Sequence, residues 1–150
     1  MKFKNIIPYD GLDEIKLYTK LDDAKEYLNR NHIKYEEKIY DNSMCKVSYN
    51  WHVLEIDNSV GLFFSEGNYK LFKIYIMNDC EAKLPNGIEV GMSIEKSKEI
   101  DKTLSYDDFD EVYLSSNGYC LESNSKTNNV FSIQVFVKEI DDEDFFLCKW

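Results

Sequence analysis

An α+β fold, with an antiparallel sheet carrying two short helices on one face, is predicted by three features of this sequence. Apolar residues recur at helical spacing in two places, Leu21 to Leu28 and Ile94 to Leu104, each a narrow stripe suited to covering one side of a sheet. Elsewhere they alternate with polar residues at period two, in short segments bounded by Gly, Asn, Asp and Ser, as half-buried antiparallel strands do. The chain has 150 residues, 43% of them hydrophobic and 15% aromatic, with 2 prolines. That is enough to bury about two thirds of the unfolded surface around one core, and it excludes disordered, collagen-like and low-complexity classes.

In chain order, Ile15-Lys16-Leu17 is a short extended segment before the first helix. Leu21, Ala24, Tyr27 and Leu28 share a face of that helix, Thr19 or Lys20 opens it, and Asp22 and Asp23 sit in the first turn, where carboxylates favour the dipole. Val47 to Ile56 reads as one more strand or a hairpin. Its register is open: either His52, Leu54 and Ile56 are buried and Trp51, Val53 and Glu55 face the sheet surface without helices, or Trp51 is a core residue. Asp57-Asn58-Ser59 and Glu66-Gly67-Asn68 are turns, with a strand entered at Gly61-Leu62-Phe63 between them. A further strand follows, with Phe72, Ile74 and Ile76 on one side of Lys73 and Tyr75.

Leu84-Pro85-Asn86-Gly87 links to the second half. There Ile88-Glu89-Val90 is extended, Gly91 allows a sharp turn and Ser93 is a good N-cap with Glu95 close behind. Ile94, Ser97, Ile100 and Leu104 form the second helical stripe. Strands follow from Gly118-Tyr119-Cys120 and, past the turn Ser123-Asn124-Ser125, along Phe131, Ile133, Val135 and Val137 on one side of Ser132, Gln134 and Lys138.

The halves read as a degenerate repeat, roughly residues 12–78 and 86–138, inside a single domain spanning 1–150. At one constant offset Ile15 matches Ile88, Leu17 matches Val90, Leu21 matches Ile94, Ala24 matches Ser97 and Tyr27 matches Ile100; Leu71 to Ile76 lines up with Val130 to Val135. The stretch from Gly87 through Gly91-Met92-Ser93 to Ser97, followed by Gly118-Tyr119 and Val130-Phe131-Ser132-Ile133, resembles the repeat unit of the β-lactamase inhibitory protein family and of small outer-membrane assembly lipoproteins. In those proteins a G-M-S turn opens a helix that packs on strands. The lipoproteins carry an export signal and a lipid-modified cysteine near the start, and the first residues here show neither, so the resemblance implies the inhibitor-like use. In general character the chain is also similar to the cytosolic immunity proteins of bacterial polymorphic or contact-dependent growth inhibition toxins. That likeness implies a protein partner and no catalysis.

Charge narrows the partners. Lys and Arg number 18 against 28 Asp and Glu, a net charge of −10 that repels phosphate backbones and anionic lipid, so neither nucleic acid nor membrane is expected to bind. With no signal-peptide core and no apolar run of membrane length, a cytoplasmic protein is expected. Cys45, Cys80, Cys120 and Cys148 lie far apart with no CxxC pair, which fits buried or half-buried thiols in a reducing compartment; in an exported chain three pairings would be open. His32, at the predicted end of the first helix, and His52, in a strand, lie in no nucleophile motif, and no basic cluster activates Cys45 or Cys120. No acid, base and nucleophile converge, and neither acidic run has the spacing of a calcium loop, so no enzyme, metal or cofactor is expected.

Two acidic stretches stand out. Asp107, Asp108, Asp110 and Glu111 follow the second helix; Glu139, Asp141, Asp142, Glu143 and Asp144 follow the last strong strand. They are either solvated loops or, interleaved with Tyr106, Phe109, Tyr113, Phe145 and Phe146, a surface in which aromatics supply buried area and carboxylates steer a basic protein partner. On the second reading the toxin interface is Asp107, Asp108, Asp110, Glu111, Tyr113, Asp141, Asp142, Glu143 and Asp144, with Trp51 as a further anchor. The expected activity is that of an immunity protein blocking the active site of a cationic toxin domain, a nuclease by preference. The competing reading is a small-ligand or ion-binding domain that uses the open sheet face, among Trp51, Tyr49, Tyr75 or Tyr119.

Overall fold

In the computed structural model, residues 2–41 and 49–150 are described. A small sheet comes first, β1 (Ile6–Ile7), β2 (Gly11–Leu12) and β3 (Ile15–Lys16), then helix α1 (Leu21–Arg30). Strands β4 (Glu36–Tyr40), β5 (Trp51–Ile56), β6 (Val60–Ser65) and β7 (Leu71–Met77) follow as a meander. Helix α2 (Ile94–Ile100) is succeeded by β8 (Ser105–Asp107), β9 (Val112–Leu114), β10 (Tyr119–Ser123) and β11 (Val130–Phe136). The main sheet is antiparallel throughout, in the order β4-β5-β6-β7-β11-β10-β9-β8.

Each run of four strands is thus preceded by one helix, and the last strands of the runs, β7 and β11, pair at the centre of the sheet. The runs are unequal in measure. Helix α2 has 7 residues against 10 in α1, and β8 and β9 have 3 each where β4 has 5 and β5 has 6.

Register fixes the two faces, because side chains alternate along a strand. Leu54, Leu62, Ile74, Val135 and Tyr119 stand opposite one another across five strands, as do Ile56, Val60, Ile76, Ile133 and Leu121. This is the helix side. Leu21, Ala24 and Leu28 of α1 are buried, and Ala24, Tyr27 and Leu28 line a cavity of about 180 Å³ with Ile15 and Leu62. On α2, Lys98 Nζ lies 4.9 Å from the ring of Tyr113, which pairs with Leu121. Burying side chains such as Leu28 and Leu62, both 0% exposed, contributes about 1.5–3 kcal/mol each. Ser93 caps α2 by accepting from Lys96 N at 3.1 Å, and Gly91 turns at φ +93°.

The opposite face carries Trp51, Val53, Phe63, Lys73, Tyr75, Gln134 and Cys120. Trp51 therefore takes the first of its two registers. A C-terminal strap, with 3₁₀ turns at Lys138–Asp141 and Phe145–Leu147, folds over one end of this face. Buried Phe145 meets Phe72 at 5.6 Å and stacks on Trp150 at 5.2 Å. The rest of the face is partly open.

Several expectations need correction. Phe72 does not join Ile74 and Ile76, because a bulge pairs Phe63 with Lys73 and Phe64 with Leu71, and its ring instead packs on Trp51 and Phe63. Helix α2 stops at Ile100, which is 39% exposed, so the stripe to Leu104 is broken by Asp101 in extended conformation. Phe131 is likewise 39% exposed, unlike Ile133, Val135 and Val137. Strand β4 lies where none was read, all five of its residues exposed; Val47 and Ser48 lie outside the described residues.

Candidate functional site

The first acidic stretch is the tip of the β8–β9 hairpin, at the edge of the main sheet. Asp107 pairs with Val112, and four residues close the turn. Asp107 Oδ1 accepts from Phe109 N at 2.8 Å and from Asp110 N at 3.3 Å, a side-chain turn of the kind Asp favours. Glu111 returns the chain to the strand at φ +56°, a conformation that costs a non-glycine residue about 1 kcal/mol. Phe109 is held at the apex and is 93% exposed, the highest value among the large hydrophobic residues described. Asp107, Asp108, Asp110 and Glu111 form no ion pair among the described residues. Tyr113 lies behind the tip, its ring 5.0 Å from Tyr106 and under Lys98. It braces the hairpin from the helix side.

The second stretch is not beside the first. The hairpin tip projects beyond the Val60 and Met77 end of the strands, since Tyr113 is level with Leu121, Ile133, Ile76 and Val60. The strap departs after Phe136, which pairs with Lys73 near the other end. Strands of six or seven residues put about 20 Å between those ends. Asp141, Asp142, Glu143 and Asp144 ride on the strap without ion pairs among the described residues, beside Phe146 and Leu147, which are 45% and 56% exposed. Glu139 is committed internally: it accepts from Tyr18 OH at 2.6 Å, and burial together with this bond pushes the phenol up to about 12. Trp51 belongs with the strap end, 5.5 Å from Phe72 and 6.2 Å from Phe63, with Lys73 Nζ 5.5 Å from its ring. The ten expected interface residues thus form two groups, Asp107 to Tyr113 and Asp141 to Asp144 with Trp51.

Two polar clusters were not singled out from sequence. Asp101, 5% exposed at the end of α2, receives five hydrogen bonds: Thr103 N (2.9 Å) and Thr103 Oγ1 (2.6 Å) at Oδ1, and Ser115 Oγ (2.6 Å), Asn117 Nδ2 (3.2 Å) and Tyr119 OH (2.5 Å) at Oδ2. Burial works to raise its carboxyl, but Ser115, Thr103 and Tyr119 outweigh it and hold the group well below the usual carboxylate range. Tyr119 is pushed up to about 12 by burial and by this carboxylate. The knot fastens α2 to β10 and leaves no lone pair for a ligand. An Asp closing a helix with Thr two residues on is the local signal for half of it; Ser115 and Tyr119 arrive only through the fold.

His52 is the other case. Its Nδ1 lies 3.0 Å from Glu37 Oε1 on β4 and its Nε2 2.8 Å from Glu66 Oε1 in the β6–β7 turn. Behind Glu37, Lys25 Nζ of α1 is 2.6 Å from Oε2, and the Tyr69 ring stands 5.8 Å from the imidazole. Burial would lower the imidazole, but Glu37 and Glu66 prevail and raise it; in turn His52 and then Lys25 lower Glu37. His32 is exposed just past α1. Burial pushes the Cys120 thiol up to about 12, away from thiolate chemistry, while Cys45 lies outside the described residues.

Among the described residues no group of three or more His, Cys, Asp or Glu is placed to hold a metal, and no helix is long and apolar enough to cross a membrane. No family model matches the chain, and neither does any curated protein or solved structure.

Proposed function

We propose that this chain is an immunity-type inhibitor that neutralises a cationic toxin domain, a nuclease by preference, by filling its active-site cleft with the β8–β9 hairpin. The observation carrying this reading is Phe109, 93% exposed at the apex of a hydrogen-bonded turn between four carboxylates that form no ion pair among the described residues. An aromatic ring of that exposure is an anchor awaiting a pocket, and preorganisation lowers the entropy of docking it. Carboxylates around it would stand where an enzyme that grips phosphates expects its substrate. Asp141 to Asp144, at the other end of the strands, add to the long-range field, and Trp51, half-buried among rings, is a supporting residue. The test is co-purification with a basic toxin domain encoded beside this chain, together with protection of cells expressing that toxin. Phe109→Ala with Asp108→Lys and Asp110→Lys should abolish both, and undiminished protection would remove the hairpin from the site.

A second reading, a small-ligand site on the helix-free face, is favoured by Lys73. Its Nζ lies 4.2 Å from the Phe63 ring and 5.5 Å from Trp51, with no ion-pair partner among the described residues. An anion with an aromatic body would suit it. Native mass spectrometry of the purified protein decides, since a retained small molecule supports this reading and the bare mass opposes it.

A further inference from the structure

We propose that His52 is a proton-operated latch on the sheet's terminal strand: as an imidazolium it ties β4 and the β6–β7 turn to β5, and as a neutral ring it keeps the turn and releases β4. Both ring nitrogens face carboxylates within hydrogen-bonding distance, on elements far apart in sequence. An imidazolium has two N–H groups and serves both; a neutral imidazole has one, and its bare nitrogen then confronts an anion. Which contact fails is decided by what stands behind each carboxylate. Glu37 has Lys25 at 2.6 Å, whereas the Glu66 side chain has no partner besides His52 among the described residues. Its remaining proton therefore stays on Nε2, facing Glu66, and the bare Nδ1 faces Glu37.

The consequence falls on β4. Among the described strands it pairs only with β5, and its residues are all exposed. Among the described residues, the other side-chain ties holding it are Lys25 to Glu37, Lys38 to Glu55 at 2.8 Å and Tyr40 OH to Glu55 at 3.5 Å. The charged or titratable groups facing His52 among the described residues are Glu37 on β4, with Lys25 of α1 behind it, and Glu66 and Tyr69 of the turn. Because the folded imidazole is raised above its unfolded value of about 6.5, the latch is fully closed below that pH. It opens as pH rises through the folded value.

The test measures amide protection factors of β4 by hydrogen exchange at pH 6 and pH 8.5, with ¹⁵N shifts of the His52 ring, in the whole protein and in Glu37→Gln. A gln side chain can donate its amide to a bare Nδ1, so that variant should hold β4 at both pH values. In the unaltered protein β4 protection should fall about tenfold at the higher pH, as for one lost hydrogen bond to a charged group, while β7 and β11 stay unchanged and the ring shows the Nε2–H tautomer. Unchanged β4 protection while the ring titrates, an Nδ1–H tautomer, an equal fall in Glu37→Gln, or a fall shared with β7 and β11 would each overturn the latch.

Discussion

Replacing Asp101 by Asn is the sharpest test of what holds the second half together. The substitution keeps shape and volume but puts an NH₂ where one carboxylate oxygen received either the Thr103 pair or the Ser115, Asn117 and Tyr119 trio. Hydroxyls of Ser115 and Tyr119 can turn to accept, but the Thr103 N–H cannot, so the amide nitrogen must take the Oδ2 side. Hydrogen bonds to a charged group contribute about 1.5–3 kcal/mol and neutral ones about 1, so the weakened set loses on the order of 3–4 kcal/mol. Opposing this, Asp101 caps the negative end of α2, and removing its charge there returns about 0.3–1 kcal/mol. The net loss is about 3 kcal/mol, or about 6–12 °C in Tm for a chain of this size. The carboxyl is depressed in the folded state, so its contribution is present above the unfolded value of about 3.9 and disappears as pH falls below it. Thermal unfolding at pH 7 and along an acid series checks both parts. The unaltered protein should lose stability below about pH 4 more steeply than Asp101→Asn. A variant Tm within about 2 °C of the parent would show that the five contacts do not add up to a stabilising site.

Two further perturbations follow from packing and backbone. Phe145→Ala removes a 5% exposed ring from between Phe72 and Trp150 and should cost about 3 kcal/mol, with the strap becoming cleavable by protease after Val137 while the sheet core resists; a strap that stays protected would show that Trp150 and Tyr18 hold it unaided. Gly118→Ala meets a φ of +87° and the Tyr9 ring, with which an added Cβ would overlap, so about 1–2 kcal/mol should be lost in urea unfolding. Adding Tyr9→Ala should recover only the steric part, and full recovery would contradict the backbone contribution.

What was legible in the sequence is what local spacing encodes. The stripe of Leu21, Ala24 and Leu28, the Ser93 cap, the Gly91 turn and the alternation at Ile74 and Ile76 each express a requirement met within a few residues. Strand β4 was not legible, because Glu36-Glu37-Lys38-Ile39-Tyr40 is an exposed edge with no buried side to alternate against. Phe72 misled for a related reason: a bulge shifts parity at one residue, and the spacing of apolar residues does not reveal it. For the candidate site, the composition of the hairpin was legible, Phe109 among carboxylates, but not its separation from Asp141 to Asp144, which depends on strand directions. His52 read as an ordinary strand histidine because Glu37 and Glu66 reach it only through pairing across β4, β5 and the β6–β7 turn.

Association kinetics with a cationic toxin domain address the hairpin most directly. Rate constants would be compared for the unaltered chain, for Phe109→Ala and for a variant with Asp141, Asp142, Glu143 and Asp144 changed to Lys, each at low and physiological salt. The hairpin account predicts that Phe109→Ala speeds dissociation by about a hundredfold or more, as for a lost hot spot, and leaves association nearly unchanged. The strap variant should slow association, most at low salt, and leave dissociation nearly unchanged. Dissociation insensitive to Phe109 but accelerated by the strap variant would contradict the account and move the contact to the other end of the sheet.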